Sequence, residues 1–114
     1  MESPVLKDWC CEDVKGDIET WCPADPYYVD YSIVLTIGRK SEEGGDNFWG
    51  RVVTDKMMPQ VEDKNFLIQV PEYTGWPLVL EKIDNILDEC KDIGWSGMSE
   101  QLSKYFLWEY SDCR

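Results

Sequence analysis

Residues 27–37 read YYVDYSIVLTI, a run whose polar and apolar side chains alternate with a period of two. Tyr27, Val29, Tyr31, Ile33, Leu35 and Ile37 fall on one face; Tyr28, Asp30, Ser32, Val34 and Thr36 fall on the other. Alternation of this length, rich in β-branched and aromatic residues, predicts a strand with one buried face. Gly38 closes it, and an acidic, Gly-containing loop over 40–47 turns the chain back into a second alternating run, 47–54. There Phe48, Gly50 and Val52 share one face, and Trp49, Arg51 and Val53 the other, so the two runs should pair as an antiparallel hairpin. A glycine inside a strand implies a bulge or the close approach of something large, and Gly50 is such a residue. Residues 4–10 suit a short edge strand, and 65–70 a third short strand stopped by Pro71. Segments 12–26 and 55–64 carry Gly16, Pro23, Pro26 and Pro59 and read as loops with at most a turn of helix; Ile18 and Trp21 are expected against the core edge.

Beyond Pro71 the period changes to that of a helix. Pro77 sits where a first helical turn tolerates it. Val79, Ile83, Ile86, Cys90 and Ile93 form one stripe, widened by Leu80 and Leu87, with carboxylates on the outside. Gly94 occupies the position of a helix C-cap. A second helix follows, capped by Ser96 or Ser99, with Met98, Leu102, Tyr105 and Phe106 as its apolar side, and is expected to end near 108–110. Strands first and helices last predict an α+β fold: one domain over 1–114, a small antiparallel sheet packed against two C-terminal helices. The helices should cover the face bearing Tyr31, Ile33 and Leu35.

Charge sharpens this picture. Among 114 residues, 23 are acidic and 11 basic, a net charge of −12. Nucleic-acid contact is dominated by Lys and Arg, so direct nucleic-acid binding is disfavoured. Summed negative charge instead steers a basic protein toward the chain. No stretch approaches the roughly 20 apolar residues of a membrane span. The start, MESPVLKDWC, is acidic and lacks the apolar segment of a secretory signal, so a cytoplasmic protein is expected.

The chemistry is bounded mainly by what is missing. There is no histidine, which removes Ser–His–Asp and Cys–His nucleophilic sites and nearly all usual zinc sites. The five cysteines, Cys10, Cys11, Cys22, Cys90 and Cys113, are odd in number and form no C-x-x-C pair. They read as reduced thiols, with Cys90 in the core. Carboxylate pairs such as Glu42–Glu43 and Glu62–Asp63 arise by chance in so acidic a chain. No catalytic residue, cofactor or metal is expected, and the protein is not expected to be an enzyme.

Aromatic residues make 13% of the chain. The pattern assigns Tyr31, Phe48, Phe66 and Phe106 to the core, while Tyr28 and Trp49 fall on faces expected to be exposed. Exposed aromatics among acids suit a protein-binding surface, where an aromatic anchor supplies affinity and charge supplies speed.

Four segments carry a resemblance to a known family. They are DIETW-x-P-x-DP over 17–26, the strand ending in Ile37-Gly38, G-DNF-x-x-x-V-x-T over 45–54, and LSKYFLWEY over 102–110. Together they resemble the bacterial immunity protein 8 family, found with polymorphic toxins and contact-dependent growth inhibition systems. The family's Thr-Pro and Trp–Leu pair after the second strand are replaced here by Thr54-Asp55 and Met57–Met58. The resemblance implies a non-enzymatic protein that binds and neutralises a cognate toxin domain, usually a nuclease. The face expected to meet it is the acidic loop with Glu42, Glu43 and Asp46, beside Tyr28, Asp30 and Trp49 on the sheet. The competing face is the polar side of the long helix: Asp84, Asp88, Glu89 and Asp92. Trp108 and Glu109 match the family pattern and are expected to be structural. An acidic mimic of nucleic acid, blocking some other nucleic-acid-binding enzyme, is the alternative; regularly spaced carboxylates along a groove would favour it, and here they are scattered.

Overall fold

The structure is a computed structural model and describes residues 1–110. In chain order its elements are β1 (Val5–Cys10), β2 (Asp30–Gly38), β3 (Asp46–Thr54), a 3-10 helix (Asp55–Gln60), β4 (Leu67–Val70), α1 (Trp76–Glu89), α2 (Trp95–Leu102) and β5 (Leu107–Trp108). The two alternating runs form the predicted hairpin, with Ile33 opposite Gly50 and Leu35 opposite Phe48. β1 pairs antiparallel on the other side of β2, with an irregularity between Leu6 and Asp8.

The α+β class and the two C-terminal helices are as expected, but the sheet is mixed rather than antiparallel throughout. β4 runs parallel to β3. A parallel pair needs a crossover of about a dozen residues, and the 55–66 connection with its 3-10 helix supplies one. β5 then returns antiparallel to the same edge of β3. That edge is therefore shared: β4 lies beside Arg51–Thr54 and β5 beside Phe48 and Trp49.

One face of the sheet is packed. Tyr31, Ile33, Leu35, Ile37, Phe48 and Val52 join Trp76, Val79, Ile83 and Leu87 of α1, and Leu102 and Phe106, in a single buried cluster. Cys90 is buried with them. Gly50 is explained by Phe106: a Cβ at that position would lie 3.2 Å from the ring's Cδ1. Trp21, Tyr31 and Tyr73 meet edge to face with centroids 5.4 to 5.9 Å apart, and the two tyrosine hydroxyls lie 3.1 Å apart. Burial, then the partner hydroxyl, pushes the Tyr31 phenol far above its ordinary pKa.

Several expectations fail for local reasons. Tyr27 is exposed, because the Asp25 carboxylate accepts its N–H at 2.9 Å and the Asp25 carbonyl accepts that of Tyr28 at 3.1 Å. An Asx turn holds Tyr27, and a β-turn from the Asp25 carbonyl holds Tyr28, before β2 begins. Ile93 is exposed, and Gly94 is the N-cap of α2 rather than the C-cap of α1. α1 ends early because Asp92 leaves it to form a backbone bridge with Glu2, at 2.9 and 3.0 Å. Neither Ser96 nor Ser99 caps α2: Ser99 is buried within it and donates to the Ser96 carbonyl. α2 stops at Leu102 instead of running to 108–110, because Leu107 and Trp108 pair with Trp49 and Phe48 of β3. Tyr105 is exposed, donating to Glu89 at 3.2 Å, and Phe66 is only half-buried. Cys113 lies outside the described residues.

Candidate functional site

Side chains alternate across a strand, so packing helices on one face leaves the other free around Trp49, while its Asp30 end is covered and Val53 there is fully buried. Register places Cys10 beside Val34, Val34 beside Trp49, and Trp49 beside Leu107 on that open face. Asp8 beside Thr36, Ser32 beside Arg51, and Arg51 beside Leu67 extend it. Trp49 is 38% exposed and Leu107 44%. Both line a cleft of about 170 Å³ together with Arg51, Asp63 and Phe66.

The cleft is held by backbone and charge. Phe66 has φ +60°, a left-handed conformation costing about 1–2 kcal/mol for a residue with a Cβ. Its carbonyl accepts the Arg51 N–H at 3.1 Å, which ties the conformation to the β3 edge. The Arg51 guanidinium makes two hydrogen bonds to the Asp30 carboxylate, each 2.5 Å. That pairing, with further help from Asp63 and Asp13, raises the Arg51 pKa. Asp13 also accepts the Ser32 N–H at 2.8 Å. Arg51 is thus surrounded by carboxylates, and the surroundings stay negative.

The six residues predicted to form one patch do not sit together. β2 spans nine residues, with Asp30 at one end and the hairpin loop at the other, about 26 Å apart at 3.3 Å per residue. Tyr28 stands at the Asp30 end, where Lys56 lies over both it and Tyr27, at 5.8 and 5.0 Å from the ring centres. Glu42 and Glu43 are exposed on the loop and line a second hollow of about 290 Å³ with Arg39 and Asp46. Arg39 pairs with Glu42 at 3.2 Å and with Glu2 at 3.0 Å. Asp46 faces inward: one of its oxygens accepts the indole N–H of both Trp95 and Trp108, each at 3.0 Å. Trp49 lies between the two ends, on the open face.

The helix alternative is dispersed as well. Asp84, Asp88 and Glu89 are exposed on α1, but Asp88 pairs with Lys91 at 3.1 Å and Glu89 accepts from Tyr105. Asp92 lies beyond the helix, and its carboxylate accepts from the Ile93 N–H and Gln101 Nε2. Trp108 and Glu109 are knit into the sheet. Trp108 stacks on Phe48, and Glu109 takes the Asn47 N–H at 2.9 Å while donating its own to the Asn47 carbonyl at 3.0 Å. The residues that pattern reasoning missed are Leu107 and Phe66. β5 is two residues long, too short to show any period, and the Phe66 position is set by a backbone angle that alternation does not encode.

Among the described residues, no group of three or more His, Cys, Asp or Glu side chains could hold a metal ion, and no helix is long and apolar enough to cross a membrane. An α+β fold with aromatic and aliphatic side chains exposed among carboxylates has the character of a protein-binding module. The family model described as Immunity protein 8 matches residues 5–113, and the chain belongs to that family. It is accordingly an immunity protein of polymorphic toxin systems, whose partner is a cognate toxin. Immunity proteins of this kind are in general not enzymes. No curated protein and no solved structure matches the chain.

Proposed function

We propose that this immunity protein neutralises a basic nuclease toxin, the C-terminal domain of a contact-dependent growth inhibition effector, by binding it in the cytoplasm of the producing cell. The observation that carries the proposal is the net charge of −12 displayed on a folded surface, with Glu42 and Glu43 exposed at the tip of the central hairpin. A nuclease must hold phosphates and is therefore basic around its active site. An acidic partner finds such a surface by long-range attraction before any contact forms. In this reading residues 1–114 act as one binding domain. Glu42 and Glu43 steer, Trp49 anchors, and Tyr28 and Asp30 sit at the far rim. Asp46 supports the loop from within.

Two measurements test the reading. A stoichiometric amount of the protein should abolish cleavage of RNA or DNA by the toxin domain encoded beside it; undiminished cleavage overturns the function. Glu42→Lys combined with Glu43→Lys should slow association with that domain by about tenfold at low salt and flatten its salt dependence. An association rate equal to wild type removes the loop from steering.

A further inference from the structure

We infer that the toxin docks at the centre of the open sheet face, seating one large apolar side chain in the cleft beside Trp49, Phe66 and Leu107 and ringing it with Lys or Arg. This rests on the immunity reading above and names the part of the surface that binds. Interface energy concentrates in a few aromatic or aliphatic anchors near the centre of a patch, and exposed charges around them add speed more than affinity. Trp49 and Leu107 are adjacent in register, both are exposed, and both wall the same cleft. The hairpin-tip hollow instead is lined by Gly38, Gly44, Gly45, charged side chains and Trp95, the indole of which is already bonded to Asp46.

Charge selects the occupant. Asp63 lines the cleft, Asp13 and Asp30 stand by Arg51, and Asp8 is exposed on the same face. Three carboxylates, Asp13, Asp30 and Asp63, thus surround a guanidinium already paired with one of them, and Asp8 adds charge farther along the face. A partner presenting cations around its apolar anchor is attracted, whereas a second copy of this chain, itself at −12, is repelled. The face supplies much of the area needed. Its strands of six, nine, nine, four and two residues, at about 3.3 Å by 4.8 Å per residue, cover about 475 Å² before side-chain relief. The hairpin tip adds to this toward the roughly 800 Å² per partner of a standard interface.

The test uses the full chain and the catalytically inactivated toxin domain encoded beside it. Trp49→Ala and Leu107→Lys should each raise Kd by about 30-fold or more, chiefly through a faster off-rate, with thermal melting unchanged. The double variant Asp84→Lys, Asp88→Lys on α1 should leave Kd within about threefold of wild type. Oxidative footprinting of the wild-type complex, independent of any variant, should show Trp49 protected. Loss of affinity in the α1 variant with wild-type binding by both face variants overturns the placement while leaving the immunity function intact. A wild-type chain that fails to bind the toxin domain overturns the immunity reading and this inference with it. A wild-type dimer in sedimentation that Leu107→Lys dissociates assigns the face to a second copy, and overturns the inference too.

Discussion

Asp46→Ala should destabilise the fold while leaving toxin recognition nearly untouched, although Asp46 belongs by sequence to the acidic loop. One carboxylate oxygen receives two indole N–H groups at 3.0 Å, from Trp95 at the start of α2 and from Trp108 in β5. These rings flank Phe48, Trp108 stacked on it at 6.3 Å and Trp95 edge-on at 6.4 Å. The carboxylate therefore draws the last strand and the last helix onto the start of β3. A hydrogen bond to a charged group contributes about 1.5–3 kcal/mol, so two lie between about 3 and 6. The site is half-buried, water replaces part of each bond, and a net loss of about 3 kcal/mol is expected. At about 4 °C per kcal/mol for a chain of this size, Tm should fall by about 12 °C. Asp46→Asn keeps the shape and one acceptor oxygen but loses the charge, and should cost about 1 kcal/mol. Differential scanning calorimetry with tryptophan emission as a second probe reads both, and toxin affinity is measured well below Tm. An Asp46→Ala protein that melts with wild type while its affinity collapses would refute the structural assignment and return Asp46 to the interface.

Two other expectations follow from the packed side of the sheet. Gly50→Ala places a Cβ 3.2 Å from the Phe106 ring; overpacking costs about 1–3 kcal/mol and reduced unfolded-chain freedom returns about 0.4–1, leaving a net loss near 1 kcal/mol by denaturant melts. Gly50→Val should lose several times more, and a Gly50→Val chain as stable as wild type would show that the ring does not fill this space. Stability should also fall on the alkaline side. Burial raises the Cys90 thiol from 9.0 to about 11 and lifts the Tyr31 and Tyr73 phenols above their ordinary range. The unfolded chain then gives up these protons first, so their contribution is full below about pH 9 and declines as pH rises, through Cys90 between 9 and about 11 and through the tyrosines above about 10. Urea melts from pH 8 to 11 should show the decline, and Cys90→Ala should flatten its first part; a flat wild-type profile would contradict the burial argument.

The hairpin and the long helix were readable from the chain because each is written in its own side-chain period. Ile33, Leu35 and Phe48 alternate, and Val79, Ile83 and Leu87 recur at helical spacing, so the packed face and the element facing it follow from local order. Gly50 announced a large neighbour without naming Phe106, which lies 56 positions on. Where prediction went astray, a stronger local or distant partner won. The Asp25 turn took Tyr27 and Tyr28 out of the strand, and the Glu2 bridge to Asp92 ended α1 before Ile93.

The candidate site was legible only in part, since exposure of Trp49 follows from alternation but the company it keeps does not. Leu107 and Phe66 reach it through β5 returning to β3 and through a left-handed backbone at the start of β4. Amino-acid order alone established the central hairpin, the long helix, the buried face, the surplus of negative charge and, through shared motifs, the family, but not β5 or the parallel pairing of β4. Folding decided which carboxylates remain available: Asp46 is bound by two indoles and Asp30 by a guanidinium, while Glu43 stays exposed at the hairpin tip. The physical reason is that a carboxylate's availability depends on donors brought within 3 Å by contacts distant in sequence, and no pattern of nearby residues records those contacts.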